Sequence, residues 1–311
     1  MIAVDDESNG YRILILPAAE MYSSVLKAVL ASSAYHMALR FAPDRQKEAL
    51  QCARKFYTEA IDELVQLSPN ISTTRNNQTQ NTITTFVMLI CGMITGSSDF
   101  PILFKMLSSS LEAINSGTDL IPFQDFLNTQ MRNFHVENII GLTTMRLLRF
   151  KLYAKPFLDS NEALKRLDDP ESLSQGLECL LQCSRLHPEH SATLTQASGL
   201  IRIAYILYTR RACNKLDRQT SNSLVEQFIV ALLNYQPTQV GWNVLVWATF
   251  IVAAESSDPT HRSFFMSIFH QYYQRTGFGN LQTAVRMLEE IWENEEESWT
   301  ESLPGWKAFI M

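Results

Sequence analysis

The stretch PDRQKEALQCARKFYTEAIDELVQLSP, Pro43 to Pro69, decides the fold class. Its apolar residues fall at Ala49, Leu50, Ala53, Phe56, Tyr57, Ala60, Ile61 and Leu64, the spacing of one stripe on a helix of 3.6 residues per turn. Charged residues occupy the other side, so the spacing predicts a helix with one face on a core. Pro43 stands near its start and Pro69 follows its end, which are positions where proline punctuates a helix. The preceding AEMYSSVLKAVLASSAYHMALRF reads as a second, more buried helix.

Outward from this pair the same pattern continues. Apolar helical stretches are predicted at Thr82–Thr95, Pro101–Ile114 and Phe123–Tyr153, then two helices interrupted near Pro188. Four more follow, at Gln219–Asn234, Gly241–Glu255, Pro259–Thr276 and Asn280–Glu296, and a short one from Pro304. The polar run from Ser68 to Thr82 lacks apolar periodicity and is the best candidate for a loop. YRILIL is too short and isolated to pair as a strand. Only 11 Gly and 11 Pro occur in 311 residues, which favours helices over turn-rich sheets. The expectation is therefore an all-α bundle of about ten or more helices with no significant sheet, forming one domain over residues 1–311.

Composition excludes several classes. A net charge of −6 argues against a large nucleic-acid surface, which needs concentrated Lys and Arg. The local cluster Arg210, Arg211 and Lys215 falls at a helix end, where cations complement the helix dipole. No apolar stretch reaches the ~20 residues that cross a bilayer, and the acidic N-terminus is not a signal peptide. The five cysteines, Cys52, Cys91, Cys179, Cys183 and Cys213, sit mostly among apolar residues and read as buried free thiols.

No catalytic or metal motif emerges. There is no HExxH, no GxSxG and no phosphate-binding loop. Cys179, Cys183, His187 and His190 tempt a zinc reading, but the first three follow each other at i, i+4 and i+8. The outer two lie ~12 Å apart along a helix, whereas zinc holds its ligand atoms at ~2.0–2.3 Å. His36, His135, His261 and His270 lack partners at ligand spacing. Gly277 reads as a helix stop and Asn280 as the N-cap of a closing helix whose apolar face is Val285, Leu288, Ile291 and Trp292. With Trp292 fully buried, Trp292→Ala is expected to cost ~3–5 kcal/mol. The acidic run that follows, ENEEESWTE, reads as a solvated helix end.

Taken in order, ASGLIRIAYILYTRRA and VLVWATFIVAAESSDPTHRSFFMSIFHQYYQRTGFGNLQTAVRMLEEIW resemble the C-terminal half of the fungal-specific transcription factor regulatory domain. The residues that carry the resemblance are Tyr205, Tyr208 and Arg210, then Trp247, Ala254 and Glu255, then Arg262, Gly277, Asn280, Ile291 and Trp292. VLKAVLASSAYHMALR and FYTEAIDELVQL resemble parts of the N-terminal half, and LFKMLSSSLEAIN the segment after them. The resemblance implies an all-helical regulatory domain of a fungal nuclear regulator, with no catalytic residues and no cofactor. It acts through transcription-machinery or co-regulator proteins, a small-molecule effector, or a homodimer. Secondary-metabolite gene control is one setting.

Such domains typically follow a six-cysteine zinc cluster that binds DNA. No CxxC pair occurs here, so neither metal nor direct DNA contact is expected from this chain. It reads as an excised domain, or as a stand-alone relative recruited as an adaptor or a cofactor-free enzyme, which would then be cytoplasmic. An effector cavity would draw on buried aromatics, and Tyr205, Trp247 and Phe250 are the candidate lining residues; each also reads as ordinary core.

Overall fold

The computed structural model describes residues 15–67, 75–97, 188–212, 215–235 and 245–294, with isolated positions outside these ranges such as Leu103, Leu107, Leu177 and Trp299. Among the described residues the protein is all-α, with nine α-helices, one 3-10 turn at Pro188–His190 and no strand. The helices are α1 (Leu16–Met21), α2 (Ser23–Ala38), α3 (Pro43–Leu67), α4 (Arg75–Thr95), α5 (Ser191–Ala212), α6 (Arg218–Leu233), α7 (Val246–Ala254), α8 (Pro259–Thr276) and α9 (Gly279–Glu293). The segments predicted at Phe123–Tyr153 and from Pro304, with most of Pro101–Ile114, lie outside the described residues.

The N-terminal half is built on α2, which packs against α1, α3 and α4. Its buried face is Ser24, Val25, Ala28, Ala31 and Ala38. Residues this small let neighbouring helices approach closely. The two buried hydroxyls are satisfied: Ser24 Oγ meets Thr84 Oγ1 of α4 at 2.8 Å, and Ser32 Oγ donates to Ala28 O at 2.8 Å. The opposite edge of α2 is polar, and Lys27 Nζ binds Glu63 Oε1 of α3 at 2.6 Å. On α3, Ala53, Ala60 and Leu64 are buried, as the stripe predicts.

Three expectations need correction here. The long helix before Pro43 is two helices, because Tyr22 adopts an extended conformation (φ −123°, ψ 118°) between α1 and α2. The polar run predicted as a loop is helical from Arg75 onward. Gln80 Nε2 donates to Ser24 Oγ at 3.0 Å and Asn81 is buried, so tertiary contacts hold a polar second turn that has no periodicity of its own. Asn280 does not cap α9; Phe278 does, and Asn280 lies inside the helix and is buried.

The C-terminal half is built around α7. Its sequence, VWATFIVAA, contains no charge, and all nine residues are buried. A helix that is apolar on every side needs neighbours on every side. Helices α5, α6, α8 and α9 supply them. Phe250, Phe228, Phe265 and Phe269 are fully buried in this cluster.

The two halves meet where α4 ends and α9 begins. Gly277 closes α8 in the left-handed region (φ 68°), as the sequence predicts, and Gly96 closes α4 likewise (φ 69°). A Cβ on Gly279 would stand 2.7 Å from Thr95 O, so the backbones touch where no side chain fits. Phe278 packs into the cores of both halves. His36 Nε2 lies 2.9 Å from Thr276 O across the same junction and sets its ring edge-on to Phe278.

Candidate functional site

The charge-free α7 ends at Ala254, and the next residue is Glu255. Its side chain is only 1% exposed. A carboxylate in that position needs its lone pairs filled. Oε1 accepts from Arg211 Nε at 2.7 Å and from Trp299 Nε1 at 2.7 Å. Oε2 accepts from Arg211 Nη2 at 2.6 Å and from Ser221 Oγ at 3.1 Å. One carboxylate thus ties α5, α6, the end of α7 and the segment beyond α9. The Arg–carboxylate pair is bidentate, the strongest form of such a contact. The hydrogen bond to Glu255 outweighs burial and raises the Arg211 pKa above its ordinary value.

Next to this hub Arg262 of α8 donates from Nε to Ser256 O at 2.9 Å, and its guanidinium lies 5.5 Å from the centre of the Trp292 ring. Trp292 Nε1 donates to Ala253 O at 2.9 Å. These groups border a cavity of about 380 Å³. Arg211, Arg218 and Arg262 supply its cations, Glu255 its carboxylate, and Trp292 and Trp299 its indoles. Asp217 caps α6 beside it, accepting from Thr220 N at 2.9 Å. Asp258 caps α8, accepting from Thr260 N at 2.6 Å. The Thr220 hydroxyl and then its amide hold the Asp217 carboxyl below its ordinary pKa, and the Thr260 amide does the same for Asp258.

The aromatics expected to line an effector cavity do not border this one. Phe250 and Trp247 are buried and Tyr205 is half-buried, and all three pack in the C-terminal core without reaching the cavity. The link between them and the cavity is Trp299, whose ring lies 6.4 Å from Phe250 and 5.8 Å from Tyr208. Tyr208 in turn stands edge-on to Trp247 at 6.0 Å.

Trp299 is the residue that sequence reading missed. It lies in the acidic run read as solvent, yet it is buried. The available signal was a tryptophan isolated beyond a run of glutamates. Arg211 was read as a helix-end cation; it does lie in the last turn of α5, but its partner is Glu255. Trp292 is half-buried, a wall of the cavity and not deep core, while Leu288 and Ile291 are buried.

Elsewhere, no group of three metal-ligating side chains occurs among the described residues. Cys179, Cys183, His187 and His135 lie outside them. His190 stands 3.8 Å from Glu189, and His270 meets Gln274 at 2.7 Å. Cys91 is buried as expected, but Cys52 is exposed, on the outward face of α3. None of the described helices is long and apolar enough to cross a membrane.

Five of the residues that carry the resemblance, Ala254, Glu255, Arg262, Ile291 and Trp292, border one cavity. The fungal specific transcription factor domain family matches the chain over residues 1–178 and 155–311, the whole length between them. The protein belongs to that family, and membership implies a transcription-regulatory role. No curated protein and no solved structure shows significant similarity to it.

Proposed function

We propose that the chain works as a single regulatory unit of a fungal transcription regulator, and that the cavity beside Glu255 receives a small-molecule effector. The observation that carries this reading is the cavity itself. Its volume lies in the range of small-ligand sites. It is lined by three arginines and two tryptophans in a chain whose net charge is −6. It also touches α5 to α9 or the turns between them, so an occupant bears on the whole C-terminal half.

On this reading the effector alters how the C-terminal half packs, and the change is passed to transcription-machinery or co-regulator proteins in the nucleus, or to a second copy of the chain. Control of a secondary-metabolite gene cluster is the setting that fits the family resemblance. The test is a fusion of the chain to a heterologous DNA-binding module with a reporter gene in yeast. Reporter output that changes with the nutrient supply, and loses that response in Trp299→Ala at equal protein level, supports the reading. Output equal to the DNA-binding module alone under every growth condition overturns it.

A further inference from the structure

We infer that the outer face of α2 is a homodimerisation surface, on which a second copy of the chain docks antiparallel about a twofold axis between Ala31 and Ser32. The inference does not depend on the cavity or its occupant. Three facts lead to it.

The first is an apolar face that no described helix covers. Ser23, Leu26, Leu30, Ser33, Met37 and Arg40 are all exposed and follow one another in steps of three and four residues. That is the spacing of the seam between two paired helices. Leu26 is 44% exposed, Leu30 37% and Met37 52%. The inner side of α2 is apolar too, with Val25, Ala28 and Ala31 buried. A helix that is apolar on both sides needs a neighbour on both.

The second is the order of large and small side chains. With the axis between Ala31 and Ser32, Leu30 lies opposite Ser33 of the second copy, and Leu26 lies opposite Met37. Twofold symmetry repeats both pairs on the other side of the axis. The large residue nearest the axis thus meets a small one, and the two helices close without a void. A parallel pair would set Leu30 on Leu30 and Ser33 on Ser33, leaving a gap at the serines.

The third is charge. Helix α3 returns antiparallel along α2: Lys27 Nζ lies 2.6 Å from Glu63 Oε1 and 3.5 Å from Glu59 Oε2, and the Tyr35 ring stands edge-on to Tyr57 at 6.3 Å. Beside the end of α2 the first half of α3 carries Arg45, Lys47, Arg54 and Lys55 against Asp44 and Glu48. Beside the start of α2 its second half carries Glu59, Asp62 and Glu63, against which α2 sets Lys27 alone. Arg40 extends the basic end; it is exposed and makes one long bond, to Arg275 O at 3.5 Å. The α2–α3 pair is therefore acidic at one end and basic at the other. Antiparallel docking sets unlike ends together, and parallel docking sets like ends together.

The shared surface is small, so the dimer is weak and concentration-dependent. Sedimentation equilibrium of the full chain between about 1 and 200 µM covers that range of affinity. A monomer–dimer equilibrium is expected. Leu26→Lys brings a cation to the basic end of the second copy, and Met37→Glu brings a carboxylate to its acidic end. Each alone is expected to weaken the dimer at least about tenfold. Leu30→Ser is expected to weaken it without adding charge. All three positions are exposed, so far-ultraviolet circular dichroism and Tm of the variants should match those of the parent chain. Mixed one to one, Leu26→Lys and Met37→Glu are expected to recover the dimer, because the introduced lysine and glutamate then face each other across the axis. A monomer at every concentration overturns the inference. A dimer that none of the three variants weakens overturns it as well. A mixture that stays monomeric also overturns it, because positions 26 and 37 would then not meet.

Discussion

Replacing Arg211 with methionine removes two of the four donors to Glu255 and the only cation bonded to it among the described residues. The carboxylate stays 1% exposed with Ser221 and Trp299 alone. Breaking a buried ion pair from one side costs about 3–5 kcal/mol, because the remaining charge is stranded. The Arg211 side chain is itself 29% exposed, so its loss lets water reach Glu255 and moves the expectation to the low end, about 3 kcal/mol. At about 2–4 °C per kcal/mol this lowers Tm by about 6–12 °C. Glu255→Gln is milder, about 1–2 kcal/mol, since the amide oxygen still accepts from Trp299 and the partly exposed Arg211 finds water. The double variant should fall short of the sum by at least about 1 kcal/mol, the mark of residues in direct contact. The assay is urea denaturation followed by far-ultraviolet circular dichroism on the four proteins of the cycle. A loss under about 0.5 kcal/mol for Arg211→Met, with additivity within about 0.3 kcal/mol, would show that the hub does not hold the fold.

Three other outcomes follow from the packing. Gly279→Ala should destabilise by about 1–3 kcal/mol, because its Cβ would stand 2.7 Å from Thr95 O and 2.8 Å from Thr95 C. Gly92→Ala should do the opposite and stabilise by about 0.5–1 kcal/mol, since it lies inside α4 with nothing within 4 Å of an added Cβ; thermal melts that moved the same way for both would refute the junction geometry. Trp292→Ala should cost about 2 kcal/mol, less than full burial implies, and Trp292→Phe should recover part of that by keeping a ring under Arg262; a loss near 5 kcal/mol would mean that Trp292 is deep core. In alkali, burial pushes the Cys91 thiol from 9.0 up to about 12 and the Tyr272 phenol from 10.0 up to about 12, and it raises Tyr57 and Tyr235 also. The unfolded chain therefore sheds these protons first, so their contribution to stability is constant below about pH 9 and falls as pH rises from there towards 12. A Tm that did not fall between pH 8.5 and about 11 would contradict the burial of these groups.

The helical class was legible in the chain because it is written in local spacing. The stripe of α3, the charge-free α7, Pro259 at the start of α8 and Gly277 at its end each depend on residues within a few turns. Their physics is the helix period, proline without an N–H and glycine at positive φ, and none of it needs the rest of the molecule. The site was only half legible. Glu255, Arg262, Ile291 and Trp292 stood in the family pattern, but their order says nothing of a cavity. Trp299, Arg211 and Ser221 could not be assigned from spacing, because their bonds to Glu255 span 44, 44 and 34 residues. The same holds for the start of α4, which is polar by composition and helical because Ser24 and the neighbouring core receive it. What the sequence determined alone was therefore which segments are helices and which faces are apolar. Only tertiary packing decided which aromatic is core and which is cavity wall, and which arginine is spent on the fold. A side chain's role there depends on desolvation and charge pairing among groups that meet only when the helices close.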